Sequence, residues 1–120
     1  MCLSKLLPDM KVTKDFGWKV FVKNPLTGTI CGPYYGKVFN ENKWNCDSSN
    51  IRISISYSIR YSSGFHVFLT RKAARRLKDA APLLNLVILK VKFKNIVARG
   101  VDCGFKAIVV KDIYLTDVRG

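Results

Sequence analysis

Three lysines occupy alternate positions in the segment NLVILKVKFK, residues 85–94: Lys90, Lys92 and Lys94. In an extended strand this spacing puts all three on one side, roughly 7 Å apart, with Leu89, Val91 and Phe93 on the other. A short way upstream, Arg71, Lys72, Arg75 and Arg76, with Lys78, crowd a second segment. Guanidinium groups grip phosphate oxygens in pairs, whereas ammonium groups act as compact point charges. The chemistry of such a set is capture of a polyanion, either a nucleic-acid backbone or the phosphates of a nucleotide. Lys90, Lys92, Lys94, Arg71, Lys72, Arg75 and Arg76 are therefore the candidate phosphate-binding residues. They act together only if the fold turns both segments toward one side.

Groups for bond-making chemistry are sparse. The single histidine, His66, has no acidic residue at a spacing that marks a catalytic triad. It reads first as a structural histidine. As a ligand group it would sit with Ser62 and with the adjacent tyrosines Tyr34 and Tyr35, which together form a candidate small-ligand pocket. There is no phosphate-cradling glycine loop of either common type. The acids are scattered singly, so no carboxylate pair is set up for acid–base work. Cys2, Cys31, Cys46 and Cys103 form no close pair, which argues against zinc and leaves free thiols as the expectation. Cys2 would be a nucleophile only as the N-terminal residue, and Leu3 stands where amidotransferases of that kind carry glycine. No catalytic residue, metal or cofactor is assigned. Trp18, Tyr34, Tyr35, Trp44, Tyr57 and Tyr61 are aromatic residues that stack on bases or nucleotides where they are exposed, and pack the interior where they are not.

The elements that must position these groups follow from periodicity. Residues 17–23, GWKVFVK, alternate as a strand with one buried face, Trp18, Val20 and Val22 on one side and Lys19, Phe21 and Lys23 on the other. Asn24-Pro25 through Gly28 is a turn signal. Residues 29–50 are rich in turn formers and read as a long excursion carrying short strands. IRISISYSI, residues 51–59, alternates without a break and predicts one half-buried strand with a serine face. Phe65–Phe68 is a short apolar strand. Thr70 is an N-cap, and Ala73, Ala74, Leu77 and Ala81 fall on one face of a helix over 70–81 that Pro82 ends. Residues 85–94 are the lysine strand. Arg99-Gly100 and Asp102-Cys103-Gly104 then read as turns, and residues 105–116 as a last strand or hairpin arm. The fold expected is a single α+β domain over 1–120, a mostly antiparallel sheet of about five or six strands with one short helix packed on it.

Composition bounds the partner. The chain has 120 residues, 21 Lys and Arg against 8 Asp and Glu, and a net charge of +13. Eight of those basic residues and one acid fall between residues 70 and 94. Such a concentrated field draws nucleic acid, a nucleotide or an acidic protein surface. An apolar share of 48% excludes a disordered tail. No apolar run approaches the roughly 18–20 residues of a membrane span, so no membrane partner is expected. The opening residues lack a secretory core, which makes the cytoplasm the expected location. A homodimer through an exposed strand edge remains open to this chain, and the lysine row equally serves to block one.

Met-Cys-Leu at residues 1–3, the W-K-V-F strand at 18–21 and YSSGFHVF at 61–68 before an Arg/Ala-rich helix resemble small proteins of bacteria and their phages that carry no assigned activity. The resemblance implies a small cytoplasmic protein, phage-encoded, suited to host takeover or counter-defence. The order of elements is also similar to ADP-ribosyltransferase-like cores, which implies Lys19 near the first catalytic position and Ser62-Ser63 near the second. No glutamate follows Glu41 to complete that set. Three functions stay in view: a non-enzymatic polyanion-binding protein, a protein–protein inhibitor docking on a host defence complex, and a nucleotide-dependent enzyme of transferase-like fold.

Overall fold

A computed structural model of the chain describes residues 3–32, 38–47, 52–54, 59–61, 64–80, 85–102 and 104–116. The strands are β1 (Lys5–Leu6), β2 (Phe16–Lys23), β3 (Ile30–Cys31), β4 (Val38–Phe39), β5 (Trp44–Cys46), β6 (Arg52–Ser54), β7 (Ile59–Tyr61), β8 (Phe65–Phe68), β9 (Leu86–Asp102) and β10 (Phe105–Leu115). The one described helix is α1 (Arg71–Ala80), between β8 and β9. The architecture is antiparallel sheet with one helix. The main sheet has eight strands in the order β1-β9-β10-β8-β2-β3-β4, with β5 on β10, rather than the five or six expected. The increase comes from short pieces. The 29–50 excursion adds β3, β4 and β5, and the N-terminal segment adds β1. Elements of two or three residues are too short for periodicity to register.

β2 also pairs with β9, through Phe16↔Lys92 to Val22↔Leu86, and touches β8 at Trp18↔Phe68. The path β9-β10-β8-β2 therefore closes on itself. Its inner side holds the larger core, with Phe21, Val67, Leu89, Val91, Ile108 and Ile113 among its fully buried members. Phe39 packs its ring edge-on against both Phe21 and Phe65. Its outer side is covered in part by α1, whose Ala73, Ala74 and Leu77 pack on Val20, Phe68, Leu86 and Val109. Alanine on the inward stripe lets the helix sit close to the sheet. Thr70 caps it as expected, its hydroxyl accepting from Ala73 N at 3.2 Å.

Three sequence expectations change. β2 buries Gly17, Lys19 and Phe21 on its inner face, while its outer face is buried only at Val20 under α1 and half-buried at Phe16, Trp18 and Val22, so Lys19 is inside rather than facing solvent. Residues 51–59 do not form one strand: β6 and β7 pair antiparallel, Arg52↔Tyr61 to Ser54↔Ile59, so the two arms run in opposite directions. An unbroken period of two does not distinguish one strand from the two arms of a hairpin. Residues 55–58, with the serine-face reading and Tyr57, lie outside the described residues, as do Ala81 and Pro82. The third change is at Arg99-Gly100, which is not a turn but the interior of β9. A Cβ at Gly100 would meet the Lys5 carbonyl oxygen and the Leu3 side chain, so glycine there permits close approach of β1.

Gly17 serves the same purpose where β2 meets β8. A Cβ there would lie 2.5 Å from Val67 Cγ1 and 2.6 Å from the Phe68 carbonyl oxygen. Gly17→Ala should therefore destabilise the fold by about 1–3 kcal/mol through overpacking. A urea titration should show a lower midpoint with an unchanged slope, and an unshifted midpoint would show that this ring contact yields freely.

Candidate nucleic-acid interface

β9 carries its lysines outward because Leu89, Val91 and Phe93 are buried in the inner core. The register then decides what stands beside them. Lys92 lies opposite Phe16 of β2 on one side and Tyr114 of β10 on the other, and Tyr114 lies opposite Trp44 of β5. One row thus reads Phe16–Lys92–Tyr114–Trp44 across four strands. Flanking it are the pair Trp18–Lys90 and the row Lys94–Asp112–Cys46. Partners directly opposite in a sheet point to the same side, so these residues share one outer face.

Side-chain contacts bear this out. Lys90 Nζ lies 4.1 Å from the centre of the Phe16 ring, and Lys94 Nζ lies 4.2 Å from that of Trp44. Trp44 meets Tyr114 edge-on with centroids 5.7 Å apart. Lys14 Nζ reaches the Phe16 ring at 5.3 Å. Contacts of this kind contribute about 0.5–1 kcal/mol each at exposed sites and hold rings and cations in an alternating pattern. Trp44 is 40% exposed, and Lys92 and Lys94 are open to solvent. Asp112 is the acid within these rows. Asn95, with φ of 61°, donates its amide to Asp112 Oδ2 at 2.6 Å.

The helix joins this face at one flank. With Ala73, Ala74 and Leu77 turned inward, a rotation of about 100° per residue places Arg71, Arg75 and Lys78 along one side and Arg76 on the opposite side. Lys72 points outward. Arg71, Arg75 and Lys78, with Asp79, line a cleft of about 300 Å³ whose floor is Val87 and Ile88 of β9. Ile88 is two residues before Lys90 on the same face. Arg71 bridges the cleft to the sheet, its guanidinium carbon 5.9 Å from the Trp18 ring. Of the seven residues singled out from sequence, Lys90, Lys92 and Lys94 share the outer face of β9, and Arg71 and Arg75 line the cleft at its flank. Lys72 and Arg76 face elsewhere. Phe16, Tyr114 and Lys14 belong to the same surface. Their types were visible in the sequence, but only strand pairing brings them beside the lysines.

His66 lies elsewhere. It is 3% exposed, in β8, and its Nδ1 is 3.2 Å from Asp102 Oδ2. Its carbonyl accepts from the buried Lys19 ammonium at 3.0 Å. Asp102 is the acidic partner that spacing did not reveal, 36 residues away in sequence. Tyr34, Tyr35 and Ser62, the other members of the candidate pocket, lie outside the described residues, as do Ser63, Cys2 and Cys103. Among the described residues, Cys31 is a free thiol, no group of three metal-ligating side chains occurs, and no helix is long and apolar enough to cross a membrane. No protein-family profile, curated protein or solved structure matches the chain significantly.

The Asp102 carboxylate is 2% exposed and faces His66. Asp102→Ala removes that partner from a buried polar ring and should lower stability by about 1–3 kcal/mol. Calorimetric unfolding measures this, and an unchanged midpoint would mean that the pair contributes nothing net.

Proposed function

We propose that this protein is a non-enzymatic nucleic-acid-binding module whose interface is the outer face of β9 with its neighbours β2, β10 and β5, continued by the cleft beside α1. The observation that carries the reading is the row of Lys90, Lys92 and Lys94 beside the half-buried rings of Phe16, Trp18 and Tyr114 and the exposed ring of Trp44, with Arg71, Arg75 and Lys78 lining the cleft at its flank. A field of six cations relieved by Asp79 and Asp112 is complementary to a phosphate backbone. Lysines spaced along a strand follow successive phosphates, and arginines at the cleft grip one of them bidentately. Cations and rings set side by side on one face suit capture of a polyanion.

The reading sets an expected salt dependence. Six phosphate contacts correspond to a slope of log K against log salt between about −4 and −5. Lys92→Glu combined with Arg75→Glu should abolish binding of a labelled oligonucleotide. Lys72→Glu combined with Arg76→Glu, equal in charge change but facing away, should leave most of the affinity. Fluorescence anisotropy between 50 and 200 mM salt makes the comparison. Retained affinity at an unchanged slope in the first variant, or equal losses in both, would refute this interface.

A further inference from the structure

We infer that the occupant of this face is a single-stranded polynucleotide, held with its bases on the aromatic rings and read with little sequence preference. The inference rests on the nucleic-acid reading above and adds to it the form of the strand. Charge alone does not distinguish single strands from duplex, but the rings do. Phe16, Trp18, Tyr114 and Trp44 alternate with the lysines on one surface, and Trp44 and Tyr114 form an edge-on pair at its far side. A duplex keeps its bases stacked on one another and offers these rings no free π-face, whereas an unpaired strand offers one at every base.

Shape points the same way. The face crosses four strands, about 14 Å from β2 to β5 at ordinary strand spacing. The major groove of a duplex admits one helix or a two-stranded ribbon, not a surface of that breadth. Nor does α1 stand proud to enter a groove. Ala73, Ala74 and Leu77 seat it on the sheet, and its Arg71, Arg75 and Lys78 flank turns toward β9 in the cleft.

The lysines have two positions to serve. In the free protein, Lys90 lies over Phe16 and Lys94 over Trp44. A base arriving on either ring takes the place of the ammonium group, and that group then swings to the phosphate beside the base. The rings are thus shielded until a strand arrives, and both halves of each cation–ring pair are used on binding. Low sequence preference follows from the polar groups present. Asn95 and Asp112, which have the donors and acceptors to read base edges, bond to one another.

The chain's two tryptophans make the test direct. A 20-nucleotide dT strand, a 20-nucleotide rU strand, a 20-base-pair duplex and heparin are titrated at one salt concentration. The dT and rU strands should quench tryptophan emission and bind at least about tenfold more tightly than the duplex. Trp18→Phe leaves Trp44 as the reporter, and Trp44→Phe leaves Trp18, so each ring is followed in a chain that keeps an aromatic at the site. Trp44→Ala with Tyr114→Ala should weaken dT binding about tenfold or more while leaving heparin binding and the salt slope unchanged. Trp44→Phe should retain most of the dT affinity. Duplex bound as tightly as dT, no quenching on saturation, or equal losses for dT and heparin in the alanine variant would overturn the single-strand inference and leave the polyanion reading intact. Failure of all four probes to bind would overturn both.

Discussion

Leu89, Val91 and Phe93 fill the inner core from one side of β9, and a slip of one residue would drive Lys90, Lys92 and Lys94 into that core instead. Placing three ammonium groups among apolar side chains is prohibitive without partners, so the burial pattern locks the register of β9 against β2 and β10. Much else depends on that lock. The same pairing that seats Val91 against Gly17 and Leu115 brings Phe16 and Tyr114 to either side of Lys92. The core and the candidate interface are therefore two faces of one alignment. A change that shifted one would rearrange the other.

The closed strand path explains why buried polar groups are accepted near its centre. β8 lies between β10 and β2, and its four residues are all buried, His66 among them. Lys19 donates to the His66 carbonyl, and Asp102 faces Nδ1 of the His66 ring. Such a set is orienting more than stabilising, because desolvation offsets much of the attraction between buried charges. Gly17 and Gly100 act at neighbouring places by removing side chains where backbones approach most closely. The result is a tightly drawn ring whose outer surface can be given over to charge.

That outer surface is divided by α1. Where the helix covers it, the sheet presents Val20, Leu86 and Phe68 to the alanine stripe. Beyond Arg71 the cover ends, and the same face continues as rings and lysines. A cation stacked on a ring keeps exposed aromatic surface from acting as an adhesive patch, and it keeps the lysine stems ordered. Like charges at alternate positions along β9 repel one another, and the interleaved rings reduce the repulsion by holding Lys90 and Lys94 toward opposite edges of the row.

Long periodic segments were legible without any structure. Period-two alternation over 17–23, 85–94 and 105–116 marked β2, the start of β9 and β10, and the Thr70 cap with its alanine spacing marked α1 within a residue at each end. These signals are local, since each reports a side chain's preference for one side of its own element. The sequence also determined the sign of the surface and the outward direction of the three lysines. Tertiary structure alone decided which strands are neighbours, and with that the eight-stranded sheet, the burial of Lys19, the pairing of His66 with Asp102 and the division of the helix arginines into two sets. Phe16, Tyr114 and Trp44 are separated by tens of residues along the chain, and nothing local couples them. They meet around Lys92 because hydrogen-bond register between distant strands sets which side chains stand side by side, and that register is settled only when the core closes.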